Sequence, residues 1–154
     1  MSSDLINVGE ELTAAESWAL LRLAVVGRLA VVVDERPDIF PVNHLVDRGS
    51  LVFRTAAGTK LAGALGHWVA FEVDGYDLET ASAWSVVVKG NAREVTRLYD
   101  VLAAFELPLF PWHSSPKAHF IRIEPESVTG RRFQVTGGSQ SSPLPGPIHH
   151  AADE

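Results

Sequence analysis

The chain contains no cysteine among its 154 residues. That excludes disulfides, a thiolate nucleophile and any cysteine-ligated metal centre. A long apolar run is also missing. Leu20–Val33 comes closest, but Arg22, Gly27 and Arg28 interrupt it before it reaches the length of a membrane span. The early residues Asp4, Glu10 and Glu11 stand where a signal peptide would carry positive charge and then an apolar stretch. These absences point to a cytoplasmic protein. Basic residues are scarce, with 13 Lys and Arg against 19 Asp and Glu and a formal net charge of -6. A surface of that sign argues against nonspecific nucleic-acid or anionic-membrane binding. The patterns G-x-G-x-x-G, G-x-x-x-x-G-K-S/T and G-x-S-x-G do not occur, which removes their chemistries. His44, His67, His113 and His119 show no helical i, i+4 pair with a third ligand nearby, so no metal site is expected. Each reads as a core or surface histidine.

What is present is ordinary for a globular domain: 46% apolar and 21% charged residues. The length suggests one domain. From Thr136 the chain turns to Gly, Ser and Pro with little apolar content and cannot fold alone. Residues 1–135 are therefore expected to form the domain and 136–154 a flexible tail.

Thr13-Ala-Ala-Glu16 is a capping box that opens a helix. Trp18, Leu21 and Val25 give that helix an apolar side, and Gly27 is placed to end it. A β-branched run, Leu29–Val33, follows. Asp34–Asp38 reads as a hairpin turn, Ile39–Val46 as the return strand and Leu51–Thr55 as a third strand. Lys60–Gly66 reads as a short helix. His67–Asp74 is a fourth strand, and Gly75–Ala83 a polar connection. Trp84–Val95 is a long fifth strand with a bend or bulge at Gly90. Thr96–Glu106 has Leu98, Leu102 and Phe105 on one helical face. Leu107–Lys117, with three prolines and one tryptophan, is a rigid loop. Ala118–Glu124 is a sixth strand, and Ser127–Val135 a seventh or its continuation. Such a series suggests a small antiparallel barrel with inserted helices.

The stretch Leu51–Lys60 carries the chemistry. Arg54 and Thr55 end a strand, a small-residue turn follows, and Thr59 and Lys60 open a helix. Two cations, two hydroxyls and free helix-start N–H groups together suit a phosphate monoester. Surface cations at a turn is the competing reading of the same spacing.

Four segments in series resemble the pyridoxamine 5′-phosphate oxidase-like, FMN-binding split-barrel family: Val26-Gly-Arg-Leu-Ala30, Ile39-Phe-Pro-Val-Asn43, Phe53-Arg-Thr-Ala-Ala-Gly-Thr-Lys60 and Trp84-Ser-Val-Val-Val-Lys-Gly90. The resemblance covers roughly residues 10 to 133. It implies a mainly β fold, a six-stranded antiparallel Greek-key split barrel with a few peripheral helices. It implies homodimers with FMN in clefts between subunits, and FMN-dependent oxidoreduction of a small-molecule substrate by hydride transfer.

Residue by residue, the resemblance implies that Phe53, Arg54, Thr55, Thr59 and Lys60 surround the cofactor phosphate, a fork and a point charge suited to a dianion. Pro41, Val42 and Asn43 are expected along the isoalloxazine, where hydrogen-bond donors tune the ring. Trp84 and Ser85 fall where the family contacts flavin from the partner subunit. Trp112 is a candidate to cover the cleft. Family members that oxidise pyridoxamine phosphate carry an Arg and a His in a C-terminal strand. Here that region is Gly-, Ser- and Pro-rich, a departure from the pattern. Two alternatives remain: a reductase using the deazaflavin coenzyme F-420, whose longer, more acidic tail asks for more basic residues along the groove, so that 13 Lys and Arg against 19 acids lean toward FMN, and a non-catalytic flavin- or haem-binding protein.

Overall fold

The computed structural model describes residues 9–55, 64–95 and 119–135. The expected helices at Lys60–Gly66 (save its last residues) and Thr96–Glu106, the proline-rich loop and the tail lie outside them. Ala64 is helical and Gly66 has φ +79°.

Alternating apolar residues produce strands that mostly bury one face, while Ser50–Phe53 is buried on both. A two-residue strand β1 (Glu10–Glu11) precedes helix α1 (Ala14–Leu23). Strands β2 (Val26–Val33), β3 (Arg36–Asp47) and β4 (Ser50–Thr55) form an antiparallel meander. Strands β5 (Trp68–Asp77), β6 (Ser82–Glu94) and β7 (His119–Gln134) complete the sheet. The order is β1-β7-β4-β3-β2-β5-β6, and β7 also pairs with β6. That second pairing closes six strands into a barrel, with β1 appended to β7. β5 returns to lie beside β2 rather than β4, which makes the connection a Greek key. Leu21, Leu29, Phe53, Phe71, Val86, Val88, Ile121 and Ile123 fill the interior.

The capping box forms: the Glu16 N–H donates to Thr13 Oγ1 at 3.1 Å, and the Thr13 N–H donates to Glu16 Oε1 at 3.3 Å. The helix ends at Leu23, short of Gly27. Gly27 belongs to β2, where a Cβ would lie 2.1 Å from the buried Phe71 ring. Val25 is exposed rather than part of an apolar helix face. The first hairpin turn is Asp34-Glu35 alone, with φ 51° and 63°, the left-handed pair a two-residue hairpin requires. The polar connection shrinks to Leu78–Ala81, because β5 runs on to Asp77 and β6 starts at Ser82. The last two expected segments are one 16-residue strand, β7. It is that long because it pairs with β4 through one part and with β6 through nearly all of its length. The expected bulge lies between Lys89 and Gly90.

Among the described residues, His44–Asp47 of β3 pair with β4. Among the described residues, the first part of β3, including Pro37 and Pro41, is paired in the sheet with β2 and with no second strand, so two residues without an N–H are tolerated there. This open stretch is the split in the barrel. Among the described residues, no helix is long and apolar enough to cross a membrane.

Candidate functional site

Directly opposed residues of an antiparallel pair share a face. This rule sorts the expected site residues. Val42 and Phe53 point into the core, 6% and 0% exposed. Their side chains are therefore taken up by the core. Pro41 and Asn43 alternate with Val42 and lie on the outer face. Asn43 opposes Val26 across β2. One step beyond the His44–Phe53 pair, Asn43 neighbours Arg54. Arg54 opposes Phe120 on β7, and its guanidinium lies 5.8 Å from the Phe120 ring centroid. Arg54 and Asn43 thus stand side by side on the outside of the barrel.

Thr55 points the other way, toward the barrel mouth. A ligand shared by Arg54 and Thr55 must therefore sit off the end of β4, where the chain enters residues 56–63. Thr59, Lys60 and Trp112 lie outside the described residues. Thr55 opposes His119, and the His119 Nδ1 is hydrogen-bonded to the Glu94 carboxylate.

Trp84 and Ser85 fall on opposite faces. Trp84 opposes Gly75 and Arg132 and packs against the core. A Cβ on Gly75 would lie 2.6 Å from its indole. Ser85 faces outward between Asp74 and Arg131. Asn43 and Ser85 share the outer face, but β2 and β5 separate them, about 14 Å along the sheet.

A charged cluster occupies that gap. The Arg28 guanidinium donates to both the Glu72 and Asp74 carboxylates. The Glu72 hydrogen bond, despite opposing desolvation, raises the Arg28 pKa. Partial burial, outweighing the Arg28 contact, raises that of Glu72. Arg28 and Arg131 both join the outer face beside the expected residues. Sequence reading missed them because cross-strand register is not written in any local motif.

His44 has a structural task. It is 6% exposed, its Nε2 donates to the Leu21 carbonyl at 2.7 Å, and its ring meets Phe71 edge-on at 4.8 Å. Leu21 is among the last residues of α1, whose carbonyls have no partner within the helix, so His44 caps the helix from β3. Nδ1 is buried with no hydrogen bond, consistent with a neutral ring. Desolvation pushes the His44 pKa down, against the opposing effect of the Leu21 contact. As pH falls through the ordinary histidine value of about 6.5, the unfolded chain takes up a proton that the folded chain refuses. Stability should therefore decline with acidification in this window. Glu72, raised in the folded state, works in the opposite sense at the acidic end. Chemical denaturation of wild type and His44→Gln across that range should show a steeper decline for wild type. Equal slopes would remove the assignment.

A closed six-stranded Greek-key barrel with an open stretch at β3 is the split-barrel architecture. The family model described as pyridoxamine 5′-phosphate oxidase matches residues 13–132, and the chain belongs to this family. The uncharacterized protein Rv0080 of Mycobacterium tuberculosis is 38% identical over 129 residues, 80% of this chain and 84% of that protein. A solved FAD binding protein from Mycobacterium smegmatis is 40% identical, with a TM-score of 0.73, over 81% of this chain and 98% of the other. A solved FAD-binding protein from Mesorhizobium loti is 27% identical, with a TM-score of 0.64, over 80% and 95%.

Proposed function

We propose that the chain binds a flavin mononucleotide moiety, with its phosphate off the end of β4 and its ring along the outer face of β3, and that it is an oxidoreductase acting on a small molecule. The observation that carries this reading is the adjacency of Arg54 and Asn43 on one outer face. The donor set fits the group: a guanidinium and a hydroxyl for the phosphate, an amide and the main chain near Pro41 for the polar ring edge. When bound, the flavin supplies hydride transfer. The protein's own residues hold the phosphate, orient the ring and limit water around it.

The separation of Asn43 from Ser85 supports a site shared between two copies, in which Ser85 serves the partner's cofactor. Val26, Val32, Ile39 and Trp68 on the same outer face are 40–62% exposed, an apolar patch suited to a homodimer. The names of the M. smegmatis and M. loti relatives favour a second reading in which the cofactor is FAD. FAD contains the same riboflavin phosphate, so the assignments at Arg54 and Asn43 carry over.

The test is a spectrum and a mass. Purified protein should be yellow, and heat should release FMN or FAD identifiable by mass spectrometry. Light scattering should give twice the chain mass. A colourless protein that binds neither added FMN nor added FAD overturns the proposal.

A further inference from the structure

We propose that a cavity formed by Arg48, Arg93 and Arg122 binds an oxoanion of the phosphate class, as the free ion or as the phosphate group of a small molecule. The site stands apart from the corner at the end of β4 and does not depend on the cofactor reading. Ser50, at its rim, and Thr55 are at opposite ends of β4, about 17 Å apart at the rise of a strand.

Register builds the cavity. The shift between Lys89 and Gly90 sets the phase in which Arg93 of β6 lies directly opposite Arg122 of β7. Like charges directly opposed across a strand pair repel. Arg122 also faces Val52 on β4, which brings it beside the turn between β3 and β4. That turn is Arg48-Gly49, closed by the Asp47–Ser50 pair, with φ 50° and 70°. Such a turn favours Asn, Asp or Gly at its first position, so turn chemistry does not account for Arg48. The three guanidiniums, with Ser50, Val95 and Glu124, line a cavity of about 150 Å³. At roughly 30 Å³ per water, that is room for about five water-sized atoms, as many as the heavy atoms of a phosphate.

Arg122 is the fixed anchor. Its Nη1 donates to the Asp47 carbonyl at 3.2 Å and to Ser50 Oγ, and its Nη2 donates to the Asp47 carboxylate at 2.9 Å. The side chain is 14% exposed. A guanidinium has more N–H donors than these bonds use, so Arg122 is held in place with donors to spare. Arg93 is the adaptable partner. It pairs with Glu124 at 2.8 Å, but the two side chains are 57% and 52% exposed. An exposed pair of this kind is worth little, so Arg93 can turn from Glu124 to an arriving anion at small cost. Among the described residues, three guanidiniums stand here against the two carboxylates of Asp47 and Glu124. An oxoanion would relieve the repulsion between Arg93 and Arg122, and its oxygens suit the planar guanidinium fork.

Inorganic phosphate, titrated into isotope-labelled protein at fixed ionic strength against chloride, tests the site by amide NMR. The backbone amides of Arg48, Gly49, Ser50 and Arg93 should shift along one saturable curve. Saturating FMN, added first, keeps the β4 corner out of the measurement. Arg48→Gln and Arg93→Gln should each weaken phosphate binding about tenfold, and the double variant should abolish it. FMN affinity should stay unchanged in all three. Both residues are exposed, and circular dichroism checks that each variant is folded. Glycerol phosphate, run alongside, tells the sources apart. Equal affinity supports the free ion as ligand, and tighter binding of the ester supports a phosphorylated small molecule.

Amide shifts at these residues no larger in phosphate than in chloride overturn the proposal. Undiminished phosphate affinity in the folded double variant does the same. A parallel loss of FMN affinity also overturns it, by merging this cavity with the cofactor site. Should wild type bind no FMN, the phosphate titration and its variants read as before, so the two proposals fail separately.

Discussion

Replacing Arg54 and Lys60 together by alanine is expected to weaken FMN binding by about two to four powers of ten, since each charge-assisted contact contributes about 1.5–3 kcal/mol. Riboflavin, which has no phosphate, should bind the variant as it binds wild type. The barrel should survive. Arg54 sits half-buried at a strand end, and the stacking it loses on Phe120 is worth about 0.5–1 kcal/mol. Fluorescence titration with both ligands, alongside circular dichroism, reads all three outcomes. Undiminished FMN affinity in the folded double variant would show that the phosphate lies elsewhere.

Gly90→Ala is expected to be among the most damaging single-atom-group changes in the chain. A Cβ at this position would lie 1.9 Å from the Glu124 carbonyl oxygen and 3.0 Å from the Pro125 Cα. Both are backbone atoms, so no rotamer change relieves the clash. The bulge between Lys89 and Gly90 is where β6 shifts its register against β7. Making room means separating the longest strand pair of the barrel. The expected loss is about 3 kcal/mol or more, read as a drop in urea midpoint. Gly66→Ala serves as the comparison. Gly66 has φ +79° but nothing within 4 Å of its virtual Cβ. Its cost should stay near the 1–2 kcal/mol of a left-handed residue. If Gly90→Ala proves no worse than Gly66→Ala, the close approach of β6 to β7 is wrong.

Much of the fold was legible because it was written locally. Thr13 and Glu16 announced the helix start, the apolar runs in Leu51–Thr55 and Trp84–Val95 announced strands, and Gly90 announced its bulge. The helix end was misread for a physical reason. Gly27 looks like a C-cap, yet the Leu21 carbonyl is satisfied by His44, 23 residues away in sequence. The hairpin turn at Asp34–Asp38 was legible, but its tightening to Asp34-Glu35 was not, because neither residue is Gly although both adopt the positive φ that glycine favours. The candidate site was half legible. Residue types and spacing pointed to Arg54 and the family resemblance to Asn43, and the register, one step beyond the His44–Phe53 pair, makes them neighbours. Nothing local separated Trp84 from Ser85, or placed His119 across from Thr55. Those relations depend on which strands pair and in what phase.

The lateness of β7 has a consequence for biosynthesis. Until residues 119–134 leave the ribosome, β4 and β6 each present a bare edge with no mate, the kind of surface that recruits other chains. A nascent chain halted before residue 119 should therefore be sticky and a client for chaperones, and cooperative closure can come only once residue 134 has emerged.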